Sequence, residues 1–129
     1  MNGRFLVDTN IVVAFLEGES SVQTRFTEAE AIFVPSIVIG ELYYGAYKSG
    51  RVTANITRVD EFIPRYTILA CDAVTALLYG QIKNLLRQKG RPIPENDIWI
   101  AAIAMQYQLT LVSRDSDFQY VDQLMVEIW

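Results

Sequence analysis

The chain contains no histidine and a single cysteine. Without an imidazole there is no Ser-His-Asp or Cys-His nucleophile pair, no histidine general base and no HExxH zinc site. Any catalysis therefore rests on carboxylates. The lone Cys71 excludes an internal disulfide and a CxxC metal knuckle, so nothing calls for an oxidising compartment and a cytoplasmic setting is expected. Cations are scarce too: eleven Lys and Arg against fifteen Asp and Glu give a net charge of −4. That balance argues against an electrostatic nucleic-acid binder with a broad basic face, and leaves open nucleic acid reached through metal ions. Long apolar runs are missing as well. The longest, Ile11 to Leu16 and Ile98 to Met105, fall short of the roughly 20 residues a membrane span needs. The opening stretch, Met1 to Asp8, has a carboxylate where a signal peptide needs its apolar segment. A soluble protein without membrane association is expected.

What is present fits one domain over residues 1–129, half of it apolar (51%), with no repeat, low-complexity tract or linker. A mean hydropathy of +0.18 is high for a lone small domain and suggests apolar surface covered by a partner or a second copy. Phe5-Leu6-Val7 reads as a buried strand running into a buried helix over Ile11 to Leu16, with Thr9 or Asn10 as its cap. A polar helix over Ser20 to Ala31 leads to a strand, Ile32 to Val34. Pro35-Ser36 starts a helix that stops at Gly50; Thr53 to Phe62 is another, ended by Pro64, and Thr67 to Leu69 is a strand. A long helix opens at Asp72 and closes at Gly90, Glu95 to Tyr107 is a strongly apolar helix, and Leu109 to Val112 and Val126 to Ile128 are the last strands. Short β-branched strands alternating with helices predict an α/β fold: a parallel sheet with helices on both faces.

In such a sheet ligands sit beyond the carboxyl ends of the strands. Asp8 directly follows the first strand, and Asp115 and Asp117 follow the strand that ends at Val112. Glu41 stands among Ile37, Val38, Ile39, Leu42, Tyr43 and Tyr44, where a glutamate is rarely left without a partner. Asp97 lies on a face made by Ile100, Ala101 and Ala104. Each acid also has a simpler explanation. Asp97 fits a first-turn acid favoured by the helix macrodipole, Asp8 a helix cap, and Asp115 or Asp117 the cap of a turn before Phe118. Glu41 has Lys48 and Arg51 two to three turns on. Four acids converging on one sheet edge would repel without a cation, and hard oxygen donors of this kind suit Mg²⁺ or Mn²⁺.

Four segments in order carry a resemblance over essentially the whole chain. They are Phe5-Leu6-Val7-Asp8-Thr9-Asn10, Pro35-Ser36-Ile37-Val38-Ile39-Gly40-Glu41-Leu42-Tyr43-Tyr44-Gly45, Gly90-Arg91-Pro92-Ile93-Pro94-Glu95-Asn96-Asp97-Ile98-Trp99-Ile100-Ala101-Ala102 and Leu111-Val112-Ser113-Arg114-Asp115-Ser116-Asp117-Phe118. The chain resembles the PIN-domain ribonucleases, most closely the VapC-type toxins of toxin–antitoxin pairs. The resemblance implies a three-layer α/β/α domain with a central, mostly parallel sheet of about five short strands. It also implies a metal-dependent endoribonuclease that hydrolyses RNA with metal-activated water, leaving a 3′-hydroxyl and a 5′-phosphate. The acidic set falls on Asp8, Glu41, Asp97 and Asp115. Asp8, Asp97 and Asp115 are the implied ligands of Mg²⁺ or Mn²⁺, with Glu41 and Asp117 as further candidates. Many relatives carry a histidine where this chain has Ile103, so that position has no catalytic role here. The division of labour between Asp115 and Asp117 stays open.

Thr9, Asn10 and Ser113 are candidates for orienting the ligands, although Thr9 and Asn10 serve equally well as helix caps. RNA contacts would come from Lys48, Arg51, Arg91 and Arg114, or from Lys83, Arg87 and Lys89; any one of these is also an ordinary solvated residue. Tyr43, Tyr44 and Tyr47 cluster with Leu42 and are expected in the core or an interface. The implied partners are RNA, a second copy of the chain, and a small antitoxin whose tail lies in a groove near the early helices. Other readings are a PIN ribonuclease of RNA maturation without an antitoxin, and a non-catalytic Mg²⁺-binding α/β module. A phosphatase-like domain wants DxD after the first strand, and Asp8-Thr9-Asn10 lacks the second aspartate.

Overall fold

Three apolar residues in succession at Phe5-Leu6-Val7 are all buried, which is how a strand reads when helices cover both faces of its sheet. The computed structural model describes residues 3–129; Met1 and Asn2, part of the stretch read for a signal peptide, lie outside the described residues. In chain order the elements are β1 (Arg4–Val7), α1 (Thr9–Leu16), α2 (Ser20–Glu28), β2 (Ala31–Pro35), α3 (Ser36–Tyr47), α4 (Val52–Phe62), β3 (Thr67–Leu69), α5 (Ala73–Lys89), α6 (Glu95–Gln106), β4 (Thr110–Val112) and β5 (Val126–Glu127). Short 3₁₀ turns span Ile63–Arg65, which contains Pro64, and Ser116–Tyr120.

The five strands form one sheet in the order β3-β2-β1-β4-β5, and every pairing is parallel. The chain winds outward from β1 to β3, then returns to the other side of β1 for β4 and β5. The change of direction falls between β1 and β4, the kind of point where open α/β sheets bind ligands. There Val7 pairs with Val112, so the next residues, Asp8 and Ser113, leave the sheet side by side.

The sheet is flanked by six helices. Leu6, Val7, Val34, Leu111 and Val112 form the middle of the core together with Ile11, Val12 and the α6 residues Ile100 to Ala104. Five consecutive buried residues make α6 apolar all round, the mark of a helix enclosed by protein. A second cluster of rings, Phe15, Phe26, Phe62 and Tyr66, fills the space between α1, α2 and α4.

Several boundaries differ from the sequence reading. Helix α2 ends at Glu28 because Ala31 pairs with Arg4 as the first residue of β2. Strand β4 starts one residue late because Gln108, at φ 55, turns the chain out of α6. Asp72 and Thr75 form a reciprocal capping box at the start of α5, and Gly90 closes it in the left-handed conformation at φ 69. The half-buried Tyr43 donates to the Asp60 carboxylate, while Tyr44 and Tyr47, each 66% exposed, lie outside the core of this chain, which leaves the interface alternative for them.

Candidate metal centre

Asp8 is the N-cap of α1. Its extended backbone (φ −81, ψ 167) lets Oδ1 accept the Thr9 amide at 2.8 Å. Of the caps expected from the sequence, the simpler explanation offered for Asp8, a helix cap, holds, and Thr9 and Asn10 are thereby corrected. Both are already helical, which frees their side chains to reach across. The Thr9 hydroxyl donates to Glu41 Oε1 at 2.9 Å, and Asn10 Nδ2 lies 3.4 Å from both Asp8 Oδ2 and Ser113 Oγ. Ser113 Oγ donates to Asp8 Oδ2 at 2.7 Å and accepts the Asp115 amide at 3.0 Å. Asp115 in turn caps the following 3₁₀ turn, its Oδ1 accepting the Asp117 amide at 2.9 Å. Residues about a hundred positions apart thus form one chain of hydrogen bonds along the switch point.

Asp97 comes to this edge from the first turn of α6, with its amide on the Pro94 carbonyl at 3.0 Å. Burial, the charges of Asp8 and Asp115, a hydrogen bond with Asp115 and the charge of Glu41 together push its carboxyl up to about 7. Burial also raises the Asp8 carboxyl and the Asp115 charge adds to this, against hydrogen bonds from Ser113, Thr9 and Asn10 that favour the ionised form. The four acids singled out in the sequence therefore lie within one another's field. Carboxylate oxygens of Asp97, Asp115 and Asp117 all lie within 4.8 Å of one another. Asp117 is as much part of this group as Asp115.

The donor set fits a hard divalent cation. It consists of carboxylate oxygens alone, and among the described residues no ion pair neutralises any of Asp8, Glu41, Asp97, Asp115 or Asp117. Glu41 does not pair with Lys48 or Arg51: its partner is Thr9, and Lys48 lies over the Tyr44 ring at 5.0 Å. Ile103 is fully buried and reaches no ligand.

The cations nominated for RNA differ in how free they are. Lys48, Arg51 and Arg91 are exposed, with Arg91 over the Tyr120 ring at 4.9 Å. Lys83 is paired with Glu95 and Lys89 with Asp122, while Arg87 meets the neutral side chain of Asn84. The Arg114 guanidinium is engaged by Glu19 at 2.6 Å and by the Trp129 carbonyl at 2.9 Å. A groove of ≈ 350 Å³ opens beside Glu41 between α1, α3 and α4, with Thr9, Val13, Gly45, Asn55 and Arg58 among its walls. Asn55 and Arg58 escaped the sequence reading; they sit on an ordinary amphipathic helix, and no local motif marks them.

The chain matches the family model described as "PIN domain" over residues 5–124. It is 39% identical to Ribonuclease VapC2 of Haemophilus influenzae over 129 residues, 98% of each chain. Against the tRNA(fMet)-specific endonuclease VapC of Shigella flexneri the identity is 33%, again over 98% of each. Among solved structures, VapBC2 from Rickettsia felis bound to a DNA fragment from its promoter superposes with a TM-score of 0.90 at 30% identity, covering 98% of both chains.

Proposed function

The chain belongs to the PIN-domain family, and from that premise we propose that it is a metal-dependent endoribonuclease acting as the toxin of a toxin–antitoxin pair. The observation that carries the reading is the gathering of Asp8, Glu41, Asp97, Asp115 and Asp117 at the β1–β4 switch point with no counter-cation among the described side chains. A protein keeps like charges this close at a cost to its own stability, and a bound cation removes that cost.

Asp97, Asp115 and Asp117 would supply direct oxygen ligands to Mg²⁺ or Mn²⁺, joined by Asp8, whose Oδ1 takes one hydrogen bond and keeps a further acceptor site. Glu41 works through water or on a second ion. When bound, the cation acidifies a coordinated water and stabilises the charge that develops on the phosphoryl oxygens. The protein's part is positioning. Ser113 sets the Asp8 carboxylate and the Asp115 backbone in one contact, Thr9 aims Glu41, and Asn10 bridges Asp8 to the segment after β4. In the metal-free protein burial and the surrounding acids favour the protonated form of Asp97, and a bound cation would favour the ionised one. With no histidine in the chain, no imidazole takes part.

The partners in this reading are RNA, a small antitoxin and a second copy of the chain. The groove beside Glu41 suits a peptide tail that covers the acids. No helix among the described residues is long and apolar enough to cross a membrane, and a cytoplasmic setting completes the reading. The test is a cleavage assay with purified protein on RNA, titrated with Mg²⁺ and Mn²⁺ and repeated with EDTA. Cleavage that appears with metal, leaves 3′-hydroxyl and 5′-phosphate ends, and is lost with EDTA and in a folded Asp8→Asn variant is the expected result. An Asp8→Asn protein that cuts as fast as wild type would sink the assignment.

A further inference from the structure

Arg114 stands between Ser113 and Asp115, next to the acids, where an arginine is readily taken for an RNA contact. Its bonds point elsewhere. The backbone amide donates to Asn10 Oδ1 at 3.1 Å, Nε donates to the Trp129 carbonyl at 2.9 Å, and the guanidinium meets Glu19 Oε1 at 2.6 Å. Each partner is itself anchored. Asn10 lies in the first turn of α1 and touches Asp8; the Glu19 amide bonds to the Ala14 carbonyl at the corner between α1 and α2. Trp129 packs edge-on against Phe5 and Phe26, with its indole N–H on Glu127 at 3.2 Å.

We propose that Arg114 is a positioning residue for the metal centre: its fork clamps the segment after β4 to the α1–α2 corner and to Trp129, and so fixes where Ser113 and Asp115 stand. The proposal rests on the metal-dependent reading above and assigns Arg114 a role within it. The peptide from Ser113 to Asp115 lies beyond β4 and carries both the hydroxyl that bridges to Asp8 and one of the clustered carboxylates. Any rotation of that peptide moves both. Two donors on a rigid planar group oppose such rotation, whereas a lysine ammonium on a flexible stem does not hold Glu19 and a carbonyl in fixed directions at once. The guanidinium is directed at Glu19, whose carboxyl this contact holds below its ordinary value.

The test uses the full chain and its Arg114→Ala, Arg114→Lys and Glu19→Gln variants. Mn²⁺ binding is followed by electron paramagnetic resonance, and RNA cleavage is measured for kcat and KM at saturating Mn²⁺. Arg114→Ala is expected to raise the Mn²⁺ midpoint roughly tenfold and leave the KM for RNA unchanged. Arg114→Lys fails to restore the midpoint. Glu19→Gln, an exposed change that spares the fold, shifts it in the same direction by about two- to threefold. A raised KM with an unchanged Mn²⁺ midpoint would make Arg114 an RNA contact and overturn the proposal, as would an unchanged midpoint and KM. A wild-type chain that binds no Mn²⁺ sinks the metal-dependent reading itself, whereas variants that match a Mn²⁺-binding wild type sink only the role of Arg114.

Discussion

Asp72 and Asp97 stand at the starts of the two helices that pack against each other, α5 and α6, and their surroundings are opposite. The Asp72 carboxylate accepts the Thr75 amide at 3.1 Å and Gln106 Nε2 at 3.0 Å, and these donors hold it below its ordinary value. Asp97 meets burial and the charges of Asp8, Asp115 and Glu41, and is pushed up to about 7. One aspartate ties α5 to the end of α6; the other is a carboxyl whose ionisation the fold opposes. For Asp72 the cap bond at its own helix start leads and Gln106 adds to it, whereas for Asp97 burial and the acids of neighbouring segments override the helix start. A carboxylate opposed on every side is a candidate for holding a ligand, which is the part given to Asp97 in the proposed function.

The contrast is sharpest in an Asp97→Asn variant. Cleavage is expected to fall by more than about a hundredfold, because a metal ligand is lost. The metal-free protein should at the same time melt no lower than wild type, and higher at pH 8, because a repelling charge has gone. A large loss of thermal stability would mean that Asp97 serves the fold as Asp72 does.

The pH dependence of the metal-free protein is the next largest effect. Between about pH 4 and 7 the folded chain holds a proton on Asp97 that the unfolded chain has released, so the stability contributed by this group declines as pH rises through that window. Asp8 shifts in the same direction. Asp72, Glu19 and Glu95 work the other way: their folded values are lowered, so their contribution is present above their unfolded values and is lost only as pH falls below them. Metal-free Tm should therefore be higher near pH 5.5 than at pH 8, and saturating Mg²⁺ or Mn²⁺ should remove most of the difference. Equal melting temperatures at both pH values without metal would break the account of Asp97.

Asp72→Ala is the smallest of the three. Removing the cap should lower Tm by about 3 °C with kcat and KM for RNA unchanged. Calorimetry beside the cleavage assay checks it, and a loss of activity at unchanged Tm would erase the distinction between the two aspartates.

Much of this was legible in the residues. The alternation of short apolar strands with helices announced a parallel sheet, and Asp8, Glu41, Asp97 and Asp115 stood out because each broke an apolar or strand-end context. What escaped has a common cause. That the Asp8 carboxylate touches Ser113, that Thr9 serves Glu41, and that Arg114 is held by Glu19 and Trp129 are facts about partners 15 to 105 residues apart. Local patterns carry no information about such pairs. Tyr44 and Tyr47 fall outside the core for a related reason: one apolar helix offers more faces than the rest of its own chain covers.

A chain without histidine and with one cysteine is denied imidazole chemistry, internal disulfides and thiol metal knuckles before it folds, because side-chain chemistry is a property of composition. Helix and strand follow nearly as directly, since periodicity and caps act over a few residues. Which carboxylates share a field is a different matter, because Coulomb energy depends on distance, and distance between remote residues comes from packing. The pairing of Val7 with Val112 brings Asp8 beside Ser113, and the placement of α6 brings Asp97 to the same edge. Folding converts separate acids into one cluster with an unmet need for positive charge.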